Sequence, residues 1–83
     1  MPEIIGTQSI RLVYPPSLIH VPVIYQLIRR FDISVNILRA HITEEEGWID
    51  IQVTASQVEI EQALDWLLSQ GVEIQMLQAR MGE

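Results

Sequence analysis

Apolar and polar positions alternate with period two through four short stretches of the chain, and recur at helical spacing through two others. The longest alternating stretch, Ser34 to Ala55, reads SVNILRAHI-TEEEG-WIDIQVTA and predicts a hairpin with one apolar face. Leu38, Ala40 and Ile42 share a face in its first arm, and Ile49, Ile51 and Val53 share one in its second; both sets are expected beneath the helices. A turn at Glu44-Glu45-Glu46-Gly47 keeps that parity, with Gly47 supplying a positive φ. Thr43 is then opposite Trp48, His41 opposite Asp50 and Leu38 opposite Val53.

The remaining elements fall on either side of this hairpin. Ser9 to Tyr14 predicts a strand with Ile10, Leu12 and Tyr14 pointing one way, ended by Pro15-Pro16. Val21 to Phe31 predicts a helix, with Pro22 at its first position and Ile24, Leu27, Ile28 and Phe31 as its stripe. Ser56-Gln57-Val58-Glu59 matches a capping box opening a second helix, whose stripe is Ile60, Ala63, Leu64, Leu67 and Leu68 and whose stop is Gly71. Val72 to Leu77 predicts the last strand. Met1 to Gly6 and Gln78 to Glu83 are expected to be a loose arm and a frayed tail. The order strand, helix, strand, strand, helix, strand predicts an α+β, ferredoxin-like βαββαβ fold, a four-stranded antiparallel sheet with two helices on one face. The chain is expected to be one domain over residues 1–83, with its ordered core at about 8–77.

Two helices cover one sheet face. The other is expected to carry Arg11, Val13, Val35, Ile37, Arg39, His41, Trp48, Asp50, Gln52, Gln75 and Leu77. Several apolar side chains among these, Val35, Ile37 and Trp48 above all, predict an interface. The hydrophobic fraction of 48% is enough for a core and for a surplus that seeks a partner.

Composition narrows the chemistry. A formal charge of −6 repels phosphate backbones and argues against nucleic-acid binding. All basic residues are arginine, which excludes Schiff-base lysine chemistry and a P-loop. With no cysteine, disulfides, thiolate metal sites and iron–sulfur ligation are excluded. No stretch is long and apolar enough to insert in a membrane, and Met1 to Gly6 does not read as a signal peptide, so a cytoplasmic setting is expected. His20 and His41 lack the spacing of a metal site; His41 reads as a loose surface partner of Asp50. Glu44, Glu45 and Glu46 lack calcium-loop spacing and read as a solvated turn. No nucleophile–base arrangement follows from spacing, so neither an enzyme, a cofactor nor a metal is expected.

Asn36 stands out. It falls on the core-facing parity of a strand, where asparagine is depleted and its amide needs partners. Two readings stay open: a structural hydrogen bond to the preceding loop, or a small-ligand contact at the mouth between helix and sheet.

Val35-Asn36-Ile37-Leu38, with Pro22, Arg30-Phe31-Asp32, Ala40, Gly47 and Gly71-Val72-Glu73-Ile74, resembles the NIL domain family, named for the Asn-Ile-Leu triplet. The resemblance extends from Gln8 to Leu77. It implies an ACT-like fold. Such domains occur at the C-terminus of the ATP-binding subunit of bacterial methionine ABC importers, where they bind methionine and inhibit transport, and also occur joined to ferredoxin modules. It implies a ligand site near the interface of paired domains, which nominates Asn36, with Ile37 and Leu38 beside it. The chain lacks a P-loop and cluster cysteines, so it is expected to neither pump nor carry electrons itself. The expectation is a stand-alone regulatory module that binds a small amino acid, methionine or a relative, as a homodimer. The alternative is an interaction adaptor that docks a transporter or redox partner through its open sheet face.

Overall fold

Alternation in the first strand survives folding intact. Ile10, Leu12 and Tyr14 are all buried, on a strand longer than its apolar signal, β1, Ile5–Tyr14. The computed structural model describes residues 4–77, so the expected C-terminal tail lies outside the described residues. The expected arm is placed from Ile4, and its Ile5 and Gly6 already pair in the sheet. After β1 come one turn of 3₁₀ helix at Pro16–Leu18, α1 (Val23–Arg30), β2 (Ser34–Ile42), β3 (Gly47–Ser56), α2 (Gln57–Ser69) and β4 (Glu73–Met76). The sheet order is β2-β3-β1-β4, every neighbour antiparallel, which is the ferredoxin-like arrangement the element order predicts.

One cluster holds the layers together. Ile10, Leu12, Ile49, Ile51 and Val53 from the sheet pack with Val23 and Leu27 of α1 and Ile60, Ala63 and Leu67 of α2. Phe31 meets Trp66 edge to face at 6.2 Å between ring centroids, fastening the end of α1 to the middle of α2. Pro22 is the N-cap of α1 rather than its first residue, and the helix is two residues shorter at its start than the stripe suggests. Ser56 caps α2 as predicted, accepting from the Glu59 amide at 3.2 Å. The reciprocal half of the box is absent: the Glu59 carboxylate instead accepts from the Asp32 amide at 3.2 Å, tying α2 to the loop before β2. Gly71 ends the helix at φ 97°, with its own amide bonded to the Leu68 carbonyl and the Val72 amide to that of Leu67. That is a complete Schellman motif.

The hairpin departs from its predicted register. The loop is Thr43 to Glu46, closed by the Thr43 amide on the Glu46 carbonyl at 2.8 Å, while the Thr43 hydroxyl accepts from the Glu45 and Glu46 amides. A side-chain hydroxyl organises this turn, so Gly47 needs no positive φ and has none. Ile42 therefore faces Gly47, His41 faces Trp48 and Arg39 faces Asp50. A bulge then intervenes between Ile37 and Arg39, beyond which Ile37 faces Ile51, Asn36 faces Gln52 and Val35 faces Val53. One extra residue, Leu38, inverts the facing of everything before it.

Candidate functional site

Residues paired across strands share a face, so the register assigns each side chain to a side. Val35 and Ile37 pair with buried Val53 and Ile51 and lie on the helix side, not on the open face. Ala40 and Ile42 keep the helix side, as predicted, but are not beneath the helices: Ile42 is 52% exposed, and Leu38 in the bulge is 49% exposed. The reason is reach. An eight-residue α1 extends about 12 Å, whereas a nine-residue edge strand runs about 30 Å. Ile28 of α1, like Ile37, Leu38 and Ile42 of β2, is an exposed large apolar residue. Val35 alone of this strand packs against the core.

Asn36 is exposed and shares the open face with Gln52, so the predicted inward amide is corrected. The cause is again the bulge. No side-chain hydrogen bond of Asn36 occurs among the described residues, so the structural reading of its amide has no support here, nor does a position at the helix–sheet mouth. Thus Asn36 lies on one face and Ile37 on the other, with Leu38 at the bulge between the two registers. Likewise Trp48 is on the open face while Val35 and Ile37 are not, so these three do not form one surface.

The open face is hydrophilic. Its centre is Asp50, 1% exposed although no helix covers it. Two arginines seal it. The Arg11 Nε donates to Oδ1 at 2.7 Å and its Nη2 to Oδ2 at 3.1 Å, while Arg39 Nε donates to Oδ2 at 2.7 Å. Trp48 is the floor beside them, its ring centroid 4.1 Å from the Arg11 Cζ and 5.7 Å from that of Arg39. The Arg11 hydrogen bonds do most to hold the Asp50 carboxyl down at about 2; burial opposes them, and the Arg39 hydrogen bond and both positive charges assist. Asp50 is thus a fixed counterion rather than a proton carrier at neutral pH. Burial pushes the Tyr14 phenol up to about 12, which keeps it neutral too. His41 is not the partner of Asp50: it stacks on Trp48 at 6.0 Å and its Nε2 is 3.4 Å from Glu46. Sequence spacing missed the Arg11–Asp50–Arg39 group because the predicted register put His41 opposite Asp50.

At the far end of the sheet a depression of about 280 Å³ lies between the α1–β2 loop and the start of α2. Ile5, Ile33 and Ala55 give it apolar walls, and Asp32, Ser34, Thr54, Ser56 and Glu59 polar ones. Ser34 is two residues from Asn36 on the same side of β2, so the triplet begins where this depression ends. No group of three or more potential metal ligands comes together among the described residues. No helix among them is long and apolar enough to cross a membrane.

Comparison with known proteins fits this architecture. The profile of the NIL domain matches residues 8–76. The methionine import ATP-binding protein MetN of Helicobacter hepaticus is 35% identical over 71 residues, covering 81% of this chain and 20% of that protein. The methionine import ATP-binding protein MetN 2 of Acinetobacter baylyi is 39% identical over 57 residues, covering 64% of this chain and 17% of its own length. The chain therefore spans about a fifth of the curated relatives it matches. Among solved structures, the C-terminal domain of an ABC transporter ATP-binding protein from Enterococcus faecalis superimposes with a TM-score of 0.75 at 19% identity, covering 88% of this chain and 86% of that one. At that identity the likeness is one of fold.

Proposed function

Because the chain belongs to the NIL domain family, we propose that it is a regulatory small-ligand module that senses methionine or a related amino acid as a homodimer. One observation carries the reading. The triplet Asn36-Ile37-Leu38 lies on an edge strand that is exposed along almost its whole length. An edge strand of nine residues with uncovered Ile37, Leu38 and Ile42 is a template for a second chain. Pairing there would bury that apolar strip and bring two copies of the triplet together. Asn36, Ile37 and Leu38 then contact the ligand, and the interface is bordered by Val35 and Ile37 of β2 on the helix side of the sheet and by Trp48 of β3 on the open side. A thioether amino acid needs an apolar wall and a few polar contacts, which the triplet and the neighbouring depression supply.

The relatives' names tie them to methionine import, which supports methionine as the first ligand to test. In this reading the protein works in the cytoplasm, binds neither nucleic acid nor membrane, and catalyses nothing itself. A transporter or redox partner would be regulated through the ligand state. The adaptor alternative loses its apolar open face, since Val35 and Ile37 point the other way; an adaptor would have to use the β2 edge instead.

The test is calorimetric titration of the protein with L-methionine and the other amino acids, beside a mass measurement in solution. A dimeric mass and saturable heat, lost in Asn36→Ala with the thermal midpoint unchanged, are expected. A monomer at every concentration, with no heat from any amino acid up to about 1 mM, would reject the reading.

A further inference from the structure

We propose that the open sheet face holds a second, separate site, in which the unused edges of the Arg39 and Arg11 guanidinium groups bind a small monocarboxylate. The argument starts from donor accounting. A guanidinium has five N–H donors, enough for more than one fork. Arg39 uses only its Nε, on Asp50 at 2.7 Å, and its side chain is 68% exposed. Its Nη1–Nη2 edge makes no hydrogen bond among the described residues. Arg11 uses Nε and Nη2 on the same carboxylate, which leaves Nη1 uncommitted. Both donors are pre-positioned: each guanidinium is pinned by a buried carboxylate and rests beside the Trp48 ring. Little rotamer freedom remains to be lost when an anion arrives.

Charge chooses the ligand class. Two arginines on one carboxylate leave a surplus of one positive charge in a chain of net −6. Glu46, beside His41 at the hairpin end, and Glu73, on the open face opposite Val13, flank the group. A single surplus cation between acidic neighbours matches a monoanion and disfavours a phosphate dianion. Planar, two-oxygen geometry matches the end-on fork of arginine. The site does not depend on amino-acid sensing at the triplet, and either can fail without the other.

The experiment is a ¹H–¹⁵N titration of the whole chain, reading the arginine Nε–H and Trp48 indole signals. Probes are acetate and propionate, with chloride and inorganic phosphate at matched ionic strength. Saturable shifts with both carboxylates, and only weak, linear ones with chloride, are expected. Arg39→Gln should weaken carboxylate binding about tenfold or more, while Arg11 still neutralises Asp50 and keeps the spectrum dispersed. Arg39→Lys keeps the charge and removes the fork, so it should also bind several-fold more weakly. Linear shifts equal for chloride and carboxylate overturn the site. So does phosphate binding tighter than carboxylate, or a lysine variant that binds as well as the parent.

Discussion

Asp50→Asn isolates what the buried carboxylate does. In the parent its oxygens take three guanidinium N–H contacts between 2.7 and 3.1 Å, and its pKa of about 2 lies below the ordinary 3.8. One pKa unit corresponds to about 1.4 kcal/mol, so the preference of the fold for ionised Asp50 is no more than about 2.5 kcal/mol. Both arginines reach solvent, and screening trims that to about 1–2 kcal/mol. The amide also leaves two guanidiniums without a counterion, and a total loss of about 2 kcal/mol is expected at pH 7. A domain of this length has about 4–12 kcal/mol of stability, so the loss is a large part of it and lowers the thermal midpoint by roughly 8–16 °C. Scanning calorimetry or urea unfolding measures it.

The loss depends on pH. The folded pKa is depressed, so the stabilisation is present in full above the unfolded value near 4 and is lost as the pH falls towards about 2. The gap between parent and Asp50→Asn should therefore be constant from pH 7 down to about 5, then close between about pH 4 and about pH 2. An unchanged midpoint at pH 7, or a gap that persists undiminished at pH 2, would refute the account.

Two further predictions concern the frame. Gly71→Ala should cost about 1–2 kcal/mol, because φ is 97° while the added methyl would meet Leu18 only at an ordinary 3.8 Å; urea unfolding reads the difference. Leu27→Ala should cost about 2–5 kcal/mol, since Leu27 is wholly buried, whereas Ile28→Ala one residue on should cost less than about 1 kcal/mol in the monomer; equal losses would mean that α1 is rotated from the position described.

The sequence disclosed the fold because most elements carry one consistent signal. Ile10, Leu12 and Tyr14 alternate without a break, and Ser56 and Gly71 bracket α2 with the cap and stop chemistry they are chosen for. The first hairpin arm carries two signals. Val35 and Ile37 are apolar at odd positions, and Leu38, Ala40 and Ile42 at even ones, so the alternation changes phase between Ile37 and Leu38. That phase change is the bulge, written in the sequence but readable only if a strand is allowed to contain one. Reading the whole arm in a single phase sent Asn36 inward and put Val35 and Ile37 on the wrong side. The arginine–aspartate group was hidden by the misplaced turn, which put His41 rather than Arg39 opposite Asp50. Arg11, Asp50 and Arg39 lie far apart along the chain, and only the true register sets them in a row across three strands. The turn misled for a different reason: Gly47 suggested a glycine-driven reversal, but the Thr43 hydroxyl supplies the hydrogen bonds that shape it.

Leu38 makes β2 a strand with two independent alphabets. Deleting that one residue would swap the solvent-facing and helix-facing letters of Ser34 to Ile37 and leave Arg39 to Ile42 untouched. A change of length at this point, rather than of side chain, is thus the shortest step by which such a domain could re-address what its outer rail displays.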